Sequence, residues 1–178
     1  MDIVSEKLLM RDLIENDRQE VMEIFLQDDM SRFLPYYAWR DVDEQSFEAR
    51  SRIISNRQEM DDNKLLELAV IHDKLIIGVI SAWYREMKDT VEIGFAFLKH
   101  CYSDSLATEA LRTICLYLLE KKNVHRIYAD IDCMNTDAIK LLESIDMRKE
   151  GMFKQDFFHK GEWRDSYVYA MLLEDIQK

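Results

Sequence analysis

The sequence predicts a mixed α/β fold: a central, predominantly antiparallel sheet flanked by helices. Three observations predict it. The apolar pattern orders the elements as strand, two helices, three strands, helix, strand, helix, two strands, which lacks the strict alternation of a repeated βαβ barrel. The 178 residues, 48% hydrophobic and 33% charged, are enough for one domain, residues 1–178, with a sizeable core. Glycine occurs four times and proline once, at Pro35, where typical glycine usage is about 7%. Such a chain favours long regular elements over glycine-built loops.

A short strand is expected over Lys7 to Arg11. Asn16 and Asp17 are good N-cap residues, and Val21, Ile24 and Phe25 follow at helical spacing. A second helix is expected from Asp43 to Met60, with Phe47, Ile53 and Ile54 on its apolar face. Between the two helices lies an aromatic segment, Phe33 to Trp39. Leu65 to His72 and Leu75 to Trp83 are apolar, β-branched runs about Asp73-Lys74 and predict a hairpin. Thr90 to Leu98 predicts a third strand of the same group. Ala107, Ala110, Leu111, Ile114 and Leu118 mark one face of a helix from Ser103 to Lys121. Arg126 to Ile131 reads as a strand and Asp137 to Ile145 as a short helix with Ile139, Leu141 and Leu142 inward. Arg148 to Phe158 and Trp163 to Leu173 predict a closing hairpin.

The charge balance, 24 basic against 35 acidic side chains, argues against a non-specific nucleic-acid binder, which needs a basic face for phosphates. The acid is uneven: residues 1–75 hold 10 basic and 18 acidic side chains, the remainder 14 and 17. One reading is a solvated acidic surface; the other is a first part that faces a cationic partner. No apolar run approaches the about 20 residues that cross a membrane, and the first residues lack a signal-peptide pattern. Cys101, Cys115 and Cys133 lack metal spacing and fit reduced thiols. A cytoplasmic protein without membrane or nucleic-acid partners is expected. His72, His100, His125 and His159 show no paired spacing for zinc, and Asp130 and Asp132 share a strand face without a third ligand, so no metal site is expected.

Six runs, in order, are Val91-Glu92-Ile93-Gly94-Phe95, Ala107-Thr108-Glu109-Ala110-Leu111, His125-Arg126-Ile127-Tyr128-Ala129, Asn135 with Lys140-Leu141-Leu142-Glu143, Glu150-Gly151, and Gly161-Glu162-Trp163-Arg164-Asp165. In this order the chain resembles, over essentially its whole length, the GNAT superfamily of N-acetyltransferases. The nearest branch acetylates ribosomal-protein N-termini and polyamines. The resemblance implies a GNAT-like acyl-CoA N-acyltransferase fold and transfer of an acetyl group from acetyl-CoA, as co-substrate, to a primary amine. The acceptor would be an amine-bearing small molecule or a protein N-terminus, and the assembly a monomer or homodimer. It implies backbone contacts to the pantetheine arm from Ala96, Phe97 and Leu98. Pyrophosphate would bind on the turn Tyr102, Ser103, Asp104, Ser105, Leu106, Ala107 and Thr108, where free N–H groups meet the positive end of a helix. Asn135 would contact the cofactor or order a water.

The sequence also departs from that family. Ser105 stands at a glycine position, Tyr102 at a basic or amide one, and Asp104 puts a carboxylate where the pyrophosphate rests. Ala138 and Leu142 replace the hydroxyl-bearing residues of the helix after Asn135, and Asp146 and Met147 replace its closing glycine and aromatic. A GNAT-fold binding or regulatory protein without catalysis is therefore a second reading, and transfer of another acyl group a third. Glu92, on the central strand, is the best general-base candidate; its alternative is a carboxylate paired with a nearby base for structure. Asp156 is a weaker base candidate and Asp165 a structural or substrate-side contact. Tyr36 and Trp39 are expected to wall the acceptor pocket, or else to cover core.

Overall fold

The computed structural model describes residues 1–25, 65–85, 87–159 and 161–176. The expected helix over 43–60 and the aromatic segment with Tyr36 and Trp39 lie outside them. The strands are β1 (Asp2–Val4), β2 (Leu9–Asp12), β3 (Leu65–His72), β4 (Leu75–Tyr84), β5 (Thr90–Phe97), β6 (Arg126–Asp132), β7 (Arg148–His159) and β8 (Glu162–Met171). They form one eight-stranded sheet in the order β1-β2-β3-β4-β5-β6-β8-β7. Every pair is antiparallel except β5 with β6. The helices are α1 (Arg18–Phe25), α2 (Leu106–Leu116), α3 (Thr136–Ser144) and the single turn α4 (Leu173–Ile176).

The β3–β4 hairpin turns on Asp73 and Lys74, both left-handed at φ 48° and 69°, the backbone a two-residue turn of this twist requires. The one parallel pair needs a crossover, and α2 supplies it. Its apolar stripe, Ala107, Ala110, Leu111 and Ile114, packs with Leu141 and Leu142 of α3 on Ile80, Val91, Ile93, Phe97, Ile127 and Tyr169. On the opposite face α1 sets Val21, Ile24 and Phe25 against Ala69, Val79 and Ala96. The two faces follow from the period-2 alternation of the strands.

Several boundaries differ from expectation. The helix expected from Ser103 begins at Leu106, because Ser105 takes a left-handed backbone at φ +60° that cannot continue a helix; a separate 3-10 turn, Lys99–Tyr102, precedes it. Its last five residues, Tyr117–Lys121, widen into a π turn closed by Lys122 N–H on the Tyr117 carbonyl at 3.2 Å. Strand β1 and turn α4 were not expected. With three and four residues, they are too short to carry a period.

Candidate active site at a split in the sheet

Strand β5 stays paired with β4 along its length, from Tyr84↔Val91 to Gly78↔Phe97. Its pairing with β6 covers only Thr90↔Arg126, Val91↔Ile127 and Glu92↔Tyr128. Beyond Glu92 and Tyr128 the two strands part, and the second edge of β5 opens inside the sheet. Leu98 N–H donates to the Ile77 carbonyl at 2.8 Å. Backbone groups alternate along an extended strand, so Ala96 also faces β4, while Phe95 and Phe97 face the gap. Of the three residues expected to offer backbone groups to the pantetheine arm, Phe97 lies on the gap edge of β5 and Ala96 and Leu98 lie on its β4 edge. The Phe97 amide points at the Tyr102 hydroxyl, and the Tyr102 ring meets Phe97 edge-on at 6.0 Å. Burial pushes the Tyr102 phenol far up, only partly offset by that amide. Tyr102 thus turns inward beside the gap.

The loop after β5 ends at the N-terminus of α2. Ser105 adopts φ +60°, ψ 0°, and its side chain makes no cap hydrogen bond. The left-handed backbone for which the resemblance expects glycine is therefore kept by a serine. Asp146 repeats this after α3, at φ +67°. Ser103 Oγ donates to the His100 carbonyl at 2.8 Å and lies 3.4 Å from Asp104 Oδ1, so it serves its own turn rather than α2. The amides of Leu106, Ala107 and Thr108 have no acceptor among the described residues. Leu106 and Ala107 are buried, and Thr108 Oγ1 lies 3.1 Å from Ser144 Oγ, tying α2 to α3. Asp104 is exposed at the mouth of this turn.

Asn135 caps α3: its Oδ1 accepts from Ala138 N–H at 3.1 Å. The preceding turn is pinned by Asp132, which accepts from Met134 N–H at 2.8 Å and from Arg164 at 2.9 Å. Ala138 and Leu142 are buried in the core, so α3 brings no hydroxyl from those positions to the gap. Burial also raises the pKa of the half-buried Cys133 thiol, against an acyl-cysteine route.

Glu92, Tyr128, Asp130, Asp132 and Ser166 share the sheet face opposite α2 and α3, as register and alternation require. Glu92 Oε2 accepts from Arg85 Nε at 2.6 Å, from a second Arg85 nitrogen, and from Tyr128 Oη at 2.9 Å. It is the paired strand carboxylate of the alternative reading, placed at the point where the strands part. Asp132 is paired with Arg164. Asp130 and Asp156 have no cationic partner among the described residues.

Asp156 reaches this face through a bulge. Phe153 pairs with Ser166 and Phe157 with Arg164, so residues 154–156 all oppose Asp165. Gln155 takes φ +50°, and its N–H donates to Asp165 Oδ1 at 2.8 Å. Asp165 is thus the anchor of the bulge. Ser166 Oγ donates its single proton to Asp156 Oδ2 at 2.7 Å, and the same hydroxyl neighbours Asp130, so the two carboxylates compete for it. Asp130 is exposed to solvent, though neighbouring protein crowds it. That crowding raises its pKa; the Ser166 bond lowers it, and the Asp156 and Glu92 carboxylates raise it again. Tyr128 and Asp130 were missed as functional candidates, although both stand on the strand that pairs with Glu92. Among the described residues no three His, Cys, Asp or Glu side chains converge as metal ligands. No described helix is long and apolar enough to cross a membrane.

The acetyltransferase (GNAT) domain family model matches residues 7–148. The chain belongs to the GNAT acetyltransferase family. It is therefore an enzyme of the N-acetyltransferase type. This GNAT chain is 27% identical over 175 residues to the uncharacterized N-acetyltransferase YnaD of Bacillus subtilis, covering 98% of this chain and 99% of that one. A GNAT-family acetyltransferase from Bacillus anthracis is similar in structure, with TM-score 0.80, 28% identity and coverage of 98% and 99%. The ribosomal L7/L12 alpha-N-protein acetyltransferase RimL, in complex with coenzyme A, shares the fold at TM-score 0.83 and 16% identity, with coverage of 98% and 99%.

Proposed function

We propose that this GNAT enzyme moves an acetyl group from acetyl-CoA to a primary amine: a protein N-terminus, a polyamine or another small amine. The observation that carries this reading is the split after Glu92 and Tyr128, which leaves the Phe95–Phe97 edge open beside the bare N-terminus of α2. The pantetheine arm takes the place of β6 along that edge, with the Phe95 amide as one donor and the Phe97 amide freed to it only if the Tyr102 hydroxyl yields. The pyrophosphate takes the free amides of Leu106, Ala107 and Thr108, where the helix dipole favours an anion. Asn135, as the cap of α3, lies on the β6 side of the gap. That RimL, which shares the fold, binds coenzyme A supports the co-substrate class, and its name as a ribosomal L7/L12 alpha-N-protein acetyltransferase supports an amine acceptor.

The thioester then lies towards the point of parting, beside Glu92 and Tyr128. The acceptor approaches over the face that carries Asp130 and Asp156, whose two uncompensated carboxylates attract an ammonium group. The protein's contribution is to hold amine and thioester together and to take up a proton. The acidic side chains of residues 1–75 act in the same direction, by steering.

Calorimetric titration with acetyl-CoA tests the co-substrate site. Saturable binding near micromolar ligand is expected; none at millimolar ligand sinks the proposal. Thiol release with an amine present then separates turnover from binding alone.

Two variants test the loop. Ser105→Gly relieves a left-handed serine, a strain of about 1 kcal/mol, and gives the phosphate more room; tighter acetyl-CoA binding at nearly unchanged stability is expected. Asp104→Asn removes a like charge at the mouth of the turn and should tighten binding severalfold at low salt, less so at high salt. Weaker binding in both variants would place the pyrophosphate elsewhere.

A further inference from the structure

We propose that Asp130 takes the proton of the acceptor amine, and that Asp156 acts on it through the Ser166 hydroxyl as a positioning residue. The inference rests on the acetyl-transfer reading above and assigns it a base. Four carboxylates compete for the role; Asp156 is held by the Ser166 hydroxyl on the outer hairpin, and their partners decide between the other three. Glu92 Oε2 is held by Arg85 and Tyr128. Asp132 is buried and bound to Arg164 and the Met134 amide. Asp130 keeps solvent access, lies two residues beyond Tyr128 on the same face of β6, has no cationic partner among the described residues, and shares the Ser166 hydroxyl as a neighbour with Asp156. Two residues of strand span about 6.6 Å, which sets Asp130 just past the point of parting, on the side from which an acceptor approaches.

The β7 bulge supplies the second half of the device. A regular β7 would not put three residues against Asp165; the extra length brings Asp156 onto Ser166. Bulges next to active sites commonly re-aim a side chain in this way. Here the anchoring bond from Gln155 N–H to Asp165 holds a non-glycine residue at positive φ to do so.

The proton balance is simple. An acceptor that arrives as an ammonium gives one proton to Asp130. Its nitrogen then forms the C–N bond to the acetyl carbon, and the C–S bond breaks with its electron pair on sulfur. The second nitrogen proton ends on that sulfur, giving amide and thiol, and Asp130 returns its proton to solvent.

Among the described residues, the charged and titratable groups on the same sheet face around Asp130 are Glu92 of β5 with its partner Arg85, Tyr128 and Asp132 of β6, Asp156 of β7 and Arg164 of β8. Of these, Asp156 and Glu92 disfavour its charged form, and Ser166 favours it. The signs give the test. Steady-state rates of coenzyme A release are measured against pH, with acetyl-CoA and either spermidine or a peptide with a free N-terminal alanine. Asp130→Asn should lower kcat/KM about 100-fold or more, with acetyl-CoA binding by calorimetry retained. Asp156→Asn should move the acid limb of kcat/KM to lower pH, and Ser166→Ala should move it to higher pH. A purely structural role would move both variants alike or neither. Near-wild-type kcat/KM in Asp130→Asn, limbs that do not move in opposite directions, or a larger loss in Glu92→Gln would overturn the assignment. A wild-type protein that releases no coenzyme A with either amine would instead overturn the acetyl-transfer reading beneath it.

Discussion

Arg164→Met is expected to lower stability by about 3–5 kcal/mol, the cost of leaving a buried carboxylate without its cation. The Asp132 side chain is 2% exposed and that of Arg164 16%. Asp132 Oδ2 takes the guanidinium and Oδ1 the Met134 amide, so one carboxylate joins β6, β8 and the turn that starts α3. Methionine keeps most of the packing volume and removes only the charge and the donors. Urea denaturation measures the loss. The double variant Asp132→Asn with Arg164→Met should recover more than half of it, because asparagine still accepts from Met134 and carries no charge to bury. A loss below about 1 kcal/mol in the single variant would mean that Asp132 is solvated as in a surface pair. The same variant should loosen the Asn135 cap, so acetyl-CoA affinity is expected to fall along with stability.

The elements with a clear period were legible in the sequence. The β3–β4 hairpin, β5, the α2 face and the α1 face all appear where alternation or helical spacing places them. The motif order also indicated the family. What periodicity misses is what interrupts it. The bulge that delivers Asp156 breaks the register of β7, so its two strands read as a plain hairpin. Ser103, Asp104 and Ser105 all read as helix-capping residues, and only the left-handed backbone of Ser105, at φ +60°, fixes the start of α2 at Leu106 rather than Ser103.

The candidate site was legible in part for the same reason. Residues on the α2 turn follow from the position of a helix start. Glu92 follows from its strand. The gap itself depends on where a parallel pair stops, which is a property of two segments about 35 residues apart and leaves no mark in either. Asp130 and Asp132 looked alike on one strand face; only the partner strand, whose Arg164 guanidinium reaches Asp132 while no described cation reaches Asp130, separates a paired carboxylate from an unpaired one. Ser105 and Asp146 show the converse. Both lack the glycine that the pattern calls for, yet both hold its backbone conformation. Serine and aspartate tolerate that region poorly but do visit it, at about 1–2 kcal/mol.

Gly78→Ala is expected to cost about 3 kcal/mol, towards the upper end of the range for overpacking a well-filled core. A Cβ at Gly78 would lie 2.2 Å and 2.7 Å from two Phe97 ring carbons and 2.9 Å from the Ala96 carbonyl oxygen. Phe97 is fully buried, with Phe95 at 6.1 Å and Tyr102 at 6.0 Å between ring centroids, so its ring has little room to turn. The carbonyl is backbone and moves only with the strand. Gly94→Ala is the control: its Cβ would meet only the tip of Trp83, at 3.1 Å, and should cost less than about 1 kcal/mol. Gly78→Ala should also weaken acetyl-CoA binding, because pushing Phe97 shifts the amide and the Tyr102 ring that edge the gap. Pairing Gly78→Ala with Phe97→Leu frees the space the new methyl needs, and the two losses should then be clearly non-additive. Equal melting temperatures for the Gly78 and Gly94 variants would show that β4 yields, and that the glycine is kept for some reason other than the close approach of Phe97.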